Sequence, residues 1–303
     1  NKSSSRLAAP SHFFNFSNSK HQLMRLSALV ILVCSTLHFV HGQSPWVAEK
    51  GKGYAQLGYT TIGPYSDLFL SDGSSYSLTR EVSDQTIQLY GEYGVGPSTS
   101  ILAVLPIKLL ETGSQIVNAA PIPNAAGSFS TIGNIQMAVR HNFVNDKVTL
   151  SGQMTLEVGS AGYDEATGLR GGLDATSFIP SISIGKGFTN FYFYAGIGSA
   201  FRTNDYSSDF RFGAEAGYQV LKRIYIIGVL DIVENFENGN AVETINQLQS
   251  GLYLNNQSYF AYGIKGIIGF NDSIGLTGAF YGAGSGNLVA KSPSLNVGFY
   301  FKW

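Results

Sequence analysis

The chain has 303 residues, a net charge of −1, 44% hydrophobic residues and only 13% charged ones, against roughly 25% charged in ordinary soluble domains. Glycine supplies 36 residues, tyrosine and phenylalanine 37 together, and lysine with arginine only 19. The absence of a charge excess or basic run excludes a disordered or nucleic-acid-binding chain, and one cysteine excludes a disulfide scaffold. A large soluble β-protein and a membrane β-barrel remain.

Residues 24–42, MRLSALVILVCSTLHFVHG, read as a signal peptide. Arg25, with Lys20 upstream, is the basic region, Leu26 to Val40 the apolar one, and Val40-His41-Gly42 fits a cleavage site. About 15 apolar residues fall short of the ~20 that a membrane helix needs. Met24 looks like the start, which makes residues 1–23 an upstream extension. Cys34 follows Val33 where a lipidated cysteine needs a small residue before it, so a lipoprotein is not expected. Lys2, Arg6, Lys20 and Arg25 leave with the leader, and the remaining chain (43–303) keeps 15 basic and 20 acidic residues and no cysteine. That composition suits an oxidising compartment outside the cytoplasm.

Beyond Gly42 the dominant pattern has a period of two, sustained for 10–13 residues. In 84–95, Ile87, Leu89, Tyr93 and Val95 share one face, while Thr86, Gln88, Tyr90 and Glu92 share the other. Segments 147–158 and 209–220 repeat it, each with one face free of charge. Twelve strands follow: 53–62, 84–95, 99–109, 131–143, 147–159, 175–186, 190–202, 208–220, 223–234, 258–270, 273–283 and 293–303. Short connections (96–98, 144–146, 187–189, 221–222, 271–272) alternate with mostly long ones (63–83, 110–130, 160–174, 203–207, 235–257, 284–292). Short turns at one rim and long loops at the other predict an all-β fold, a transmembrane antiparallel β-barrel of the outer-membrane type. Fourteen strands is the alternative, but that fatty-acid-transporter type normally carries an N-terminal plug, and only residues 43–52 precede the first strand here. Near Trp303, Leu295, Val297, Phe299, Phe301 and Trp303 alternate, which marks Phe299, Phe301 and Trp303 as an insertion signal for the barrel-assembly machinery.

Several segments carry a family resemblance: LYGEYGVGPSTSILAVLPIK (89–108), STIGNIQMAVRHNF (130–143), SISIGKGFTNFYFYAGIGSAFR (181–202), GFNDSIGL (269–276) and NVGFYFKW (296–303). They resemble the outer-membrane transporters grouped with the meta-pathway of phenol degradation, although Asn134 stands where that family usually has an acidic residue. The resemblance implies a transporter barrel and neither a substrate nor a catalytic motif.

Catalytic and cofactor signals are weak. His141 is the one histidine after the leader, faces lipid beside a short turn, and has Phe143 where a serine would have suggested a hydrolase pair. No enzyme activity, cofactor or metal is therefore expected. GAGSGN (282–287) and GIGSA (196–200) do not open helices after buried strands, so they are not phosphate loops. Asp164, Glu165, Glu234 and Glu237 lack the alternating spacing of a calcium loop.

The polar strand faces are more informative. If they point inward, the interior holds Glu92, Glu157, Glu215 and Asp231 with Arg140, Arg202, Arg211 and Lys265, and Tyr90, Tyr192 and Tyr194 beside them. Such charges are expensive in lipid and natural in a wet or salt-bridged interior. Either they form a charged constriction that selects solutes, or opposite charges pair and fill the barrel, with Arg211 and Glu215 on one strand face and Glu157 two strands from Arg202. The sequence thus predicts a barrel in the outer membrane of a Gram-negative bacterium, in contact with outer-membrane lipid and not nucleic acid, that passes or binds small solutes. The alternative is a structural or adhesive barrel with a filled, salt-bridged interior and exposed loops.

Overall fold

The computed structural model describes residues 44–116, 123–159 and 162–303. The leader and the upstream extension lie outside them. Fourteen strands form: β1 Gly53–Phe69, β2 Ser75–Gly96, β3 Thr99–Gln115, β4 Gly127–Ile132, β5 Ile135–Asn145, β6 Thr149–Val158, β7 Thr176–Gly187, β8 Phe191–Arg202, β9 Asp209–Leu221, β10 Ile224–Asn235, β11 Ser258–Gly269, β12 Ile274–Asn287, β13 Val289–Ala290 and β14 Ser294–Lys302. Twelve of them make a closed antiparallel barrel, because β1 pairs with both β2 and β14. The two extra strands are short. β4 continues the line of β5 along β3, and β13 rides on the end of β1. Closure leaves no sheet edge exposed to lipid.

Two expectations about boundaries change. The predicted loop 63–83 is mostly strand, since β1 and β2 run on past the wall and meet through a turn at 70–74. The predicted fourth strand breaks at Gly133-Asn134, opposite Leu105 and Pro106 of β3. Pro106 has no N–H to offer the ladder, and its carbonyl takes the Gly133 N–H at 2.8 Å instead. A similar gap in the β7–β8 ladder skips Ile179 and Pro180.

The period-two pattern sorts as the pleat demands. Leu57, Leu89, Met137, Ile182, Ile197, Ile226, Ile264 and Val297 face outward and are 50–65% exposed, from strands around the circumference. Tyr90, Tyr192, Tyr194, Ile227 and Ile267 face inward and are buried. The twelve barrel strands run to 9–22 residues, long enough for the ~9–11 that a tilted transmembrane strand requires. At the short-turn end of β14, Phe301 and Trp303 stack at 5.7 Å beside Phe299 on the apolar face.

Candidate functional site

The interior has a floor, a chamber and a roof. The floor, at the short-turn rim, is built from residues 44–49. These few residues turn into the barrel, so the short stretch before β1 does act as a plug, which the sequence reading did not anticipate. Trp46 is 2% exposed and meets the edges of Tyr192 and Tyr194 at centroid distances of 5.5 and 5.6 Å. Arg140 donates to the Trp46 carbonyl at 2.8 Å, the Ala48 N–H donates to Glu92 and to the Ser100 hydroxyl, and Ser151 donates to the Pro45 carbonyl. Two glycines make the room. A Cβ at Gly94 would lie 2.2 Å from the Glu49 carbonyl oxygen, and one at Gly185 would lie 2.7 Å from Pro45. Gly94 also exchanges backbone hydrogen bonds with Gly51 and Lys52, which fixes where the segment turns in.

The roof, at the long-loop rim, comes from the connections after β6 and β10. Loop 236–257 carries a single helical turn, α1 Ile245–Leu248, started by a Thr244–Gln247 capping box. It then descends so that Leu252 and Leu254 pack with Tyr65, Leu68, Leu78, Val82, Leu110 and Leu169. Polar ties hold it in place. Tyr65 donates to the Ser250 carbonyl at 2.8 Å, Thr79 N–H donates to Gln249 at 2.7 Å, and Arg170 donates to the Tyr253 carbonyl at 3.3 Å. Of the acidic loop residues considered for calcium, Asp164 accepts instead from the Thr167 N–H and hydroxyl, both at 2.9 Å.

Between floor and roof lies a cavity of about 470 Å3, bounded below by Tyr90, Leu102 and Tyr194 and above by Leu252, Tyr253 and Leu254. All eight charged residues singled out in the sequence point into the barrel, but their partners differ from those expected. Arg140 meets Glu92 at 3.4 Å, both fully buried, and Tyr90 donates to the same carboxylate. Glu215 pairs with Lys265 at 2.9 Å rather than with Arg211, and Tyr192 donates to it. Arg211 binds Asp209 at 2.6 Å, and Arg202 binds that carboxylate too, instead of Glu157. Glu157 accepts from Asn134, Gln136 and Ser177. Asp231 accepts from Tyr259 at 3.0 Å.

Sequence reasoning missed three interior charges: Asp209, Asp84 and Lys108. Lys108 donates to both Asp84 oxygens at 2.8–2.9 Å, and its ammonium lies 5.2 Å from the Tyr253 ring in the roof. The signal was present, because Lys108 continues the inward register of Val104 and Pro106, and Asp84 that of Thr86 and Gln88. On the outer face, His141 Nδ1 lies 2.9 Å from the Thr99 hydroxyl, and its ring contacts Phe143.

No family model matches the chain, and no curated protein does. Solved structures do. An outer membrane channel from Pseudomonas putida F1 superposes with a TM-score of 0.63 at 13% identity, covering 85% of this chain and 98% of that one. The translocator domain of the autotransporter NalP from Neisseria meningitidis gives 0.52 at 12% identity, covering 94% and 96%. At such identities the likeness is one of fold, a closed antiparallel β-barrel.

Proposed function

We propose that the protein is an outer-membrane channel that admits small solutes into a gated chamber and releases them to the other side. One observation carries this reading: a lipid-compatible wall surrounds an internal cavity of about 470 Å3, lined by apolar and polar side chains, between a floor and a roof that the chain itself supplies. A barrel whose interior served only for stability would pack side chains to the density of a protein core. Twelve strands make a lumen between the filled eight-stranded barrels and the wide sixteen-stranded porins.

The uncharged outer belt supports residence in the outer membrane of a Gram-negative bacterium, with lipid as its surroundings. Short turns then face the periplasm and long loops the exterior. Phe299, Phe301 and Trp303 supply the alternating aromatic strand that the barrel-assembly machinery would take up. The segments similar to transporters of the phenol meta-pathway grouping point to the same class. Glu92, Arg140, Glu157, Arg202, Arg211, Glu215, Asp231 and Lys265 would set the field along the path, with Tyr90, Tyr192 and Tyr194 supplying its apolar surface.

The closed ion pairs favour a second reading, a structural barrel whose filled interior passes nothing. Planar-bilayer recording of the purified chain separates the two. A channel gives brief, low-conductance openings that become long and large when residues 44–49 are deleted. A structural barrel stays silent in both forms.

A further inference from the structure

Resting on that channel reading, we propose that the chamber is a binding site for a neutral, hydroxyl-rich ring compound, of mono- or disaccharide size. Charge comes first. The acids that line the chamber are already engaged: Asp84 by Lys108, Asp209 by Arg202 and Arg211, Glu215 by Lys265, Glu157 by two amides and a serine, and Asp231 by Tyr259. An anionic solute would have to take a base from a buried pair and leave its acid uncompensated, and a cationic one would have to displace the neutral donors that hold Glu157 and Asp231. A neutral solute takes nothing apart.

Hydrogen-bonding capacity comes second. Two inward positions of β14 hold buried atoms without partners, Asn296 Oδ1 and the Ser294 hydroxyl. They are two residues apart on one face, so roughly 7 Å separates the positions along the wall. Asn296 is held in place because its Nδ2 donates to Thr60 at 2.8 Å, which leaves the carbonyl end for a donor. Five strands away, Arg202 keeps a buried Nε–H with no acceptor. A buried polar atom left unmade is unfavourable, so these positions select a solute that both donates and accepts. A hydroxyl does both, while a hydrocarbon would leave all three atoms unsatisfied.

Ring surface comes third. Tyr281 stands opposite Ser294 in the β12–β14 register, and Tyr194 and Tyr259 face the same space from other walls. Tyrosine faces accept the C–H side of a saccharide ring while amides and hydroxyls bind its edge. Apolar stacking area beside neutral amide and hydroxyl groups, with each acid held by a base or by neutral donors, is the chemistry that recognises such a ring.

The test uses the full chain in a sugar-free detergent, titrated by intrinsic tyrosine and tryptophan fluorescence, alongside bilayer conductance. Maltose should saturate the signal and block openings, with gluconate, glucosamine and benzene at least tenfold weaker. Asn296→Leu should weaken maltose binding tenfold or more, and Asn296→Gln should recover part of it. Ser294→Ala, a smaller change that serves if the leucine variant does not fold, should weaken it severalfold. Tighter binding of gluconate or glucosamine than of maltose would overturn the proposal, as would saturation by benzene with none by maltose. Conductance without any effect of maltose overturns the saccharide site and leaves the channel standing. Maltose binding without conductance keeps the site and removes the channel.

Discussion

The two ends of the barrel are covered by segments of different chemistry. The floor at the short-turn rim is a strap of six residues held almost wholly by hydrogen bonds to strand side chains, with Trp46 as its one large apolar anchor. The roof at the long-loop rim is a hydrophobic cluster, with Leu68, Leu78, Leu169, Leu252 and Leu254 buried among strand extensions and loops. A strap leaves its site whole and re-enters by re-forming a few directed bonds. A leucine cluster has to lose its packing side by side before anything passes. On the proposed channel reading, the floor is the element expected to move and the roof the one expected to hold.

The largest way to break this contrast is Arg140→Met. Arg140 joins the Trp46 carbonyl, Glu92 and Gln153, and its side chain is fully buried. Its removal strands the Glu92 carboxylate and should destabilise by about 3–5 kcal/mol, the usual effect of breaking a buried pair. The melting of heat-modifiable bands should fall and single-channel openings should lengthen together. A fall in melting with unchanged openings would show that the strap does not gate.

Next comes Leu252→Ala, which empties part of the roof and should weaken its docking by about 2–5 kcal/mol. The strands remain paired, so barrel melting should hardly move, while protease cleavage within 236–257 on intact cells should rise steeply. Cooperative loss of the whole barrel would mean that roof and wall form one unit. Trp46→Phe sharpens the account of the floor. The indole N–H has no partner, so phenylalanine keeps an aromatic edge against Tyr192 and Tyr194 and should change strap docking by only about 1 kcal/mol. Openings a hundredfold longer would show that the larger ring, and not its edge contacts, makes the seal.

The smallest expected effect is on pH. The Thr167 N–H and hydroxyl hold the Asp164 carboxyl below the usual carboxylate range. Its folded-state value therefore lies below its unfolded one, and the stabilisation is complete at neutral pH. It disappears as pH falls through that lowered value, below about 4. The group is partly exposed in a loop, so only slight loosening of 162–171 is expected, read by proteolysis across pH 3–6 and absent in Asp164→Asn.

Much of the architecture was legible because alternation is local. A pleated strand turns each successive side chain to the opposite face, so a tally of charges along 84–95 or 209–220 is enough to separate lumen from lipid. Connection lengths sorted the rims for the same local reason. The strand ends were less legible. β1 and β2 extend beyond the membrane wall, where Ser, Thr and Gly replace the apolar alternation, and the broken fourth strand depends on Pro106 in its neighbour.

What the sequence determined by itself is the face to which each residue belongs; what tertiary structure alone decided is which residue meets it there. Arg211 and Glu215 share a strand face, yet one binds Asp209 two residues away and the other Lys265 fifty residues away. Those choices follow from the stagger of the closed barrel, which sets the height of each strand against its neighbours and has no local signature. The same holds for the closures. Residues 43–52 read only as the short stretch before the first strand and 235–257 as a long loop, and parts of each border the chamber only because twelve strands, once closed, leave a space between them.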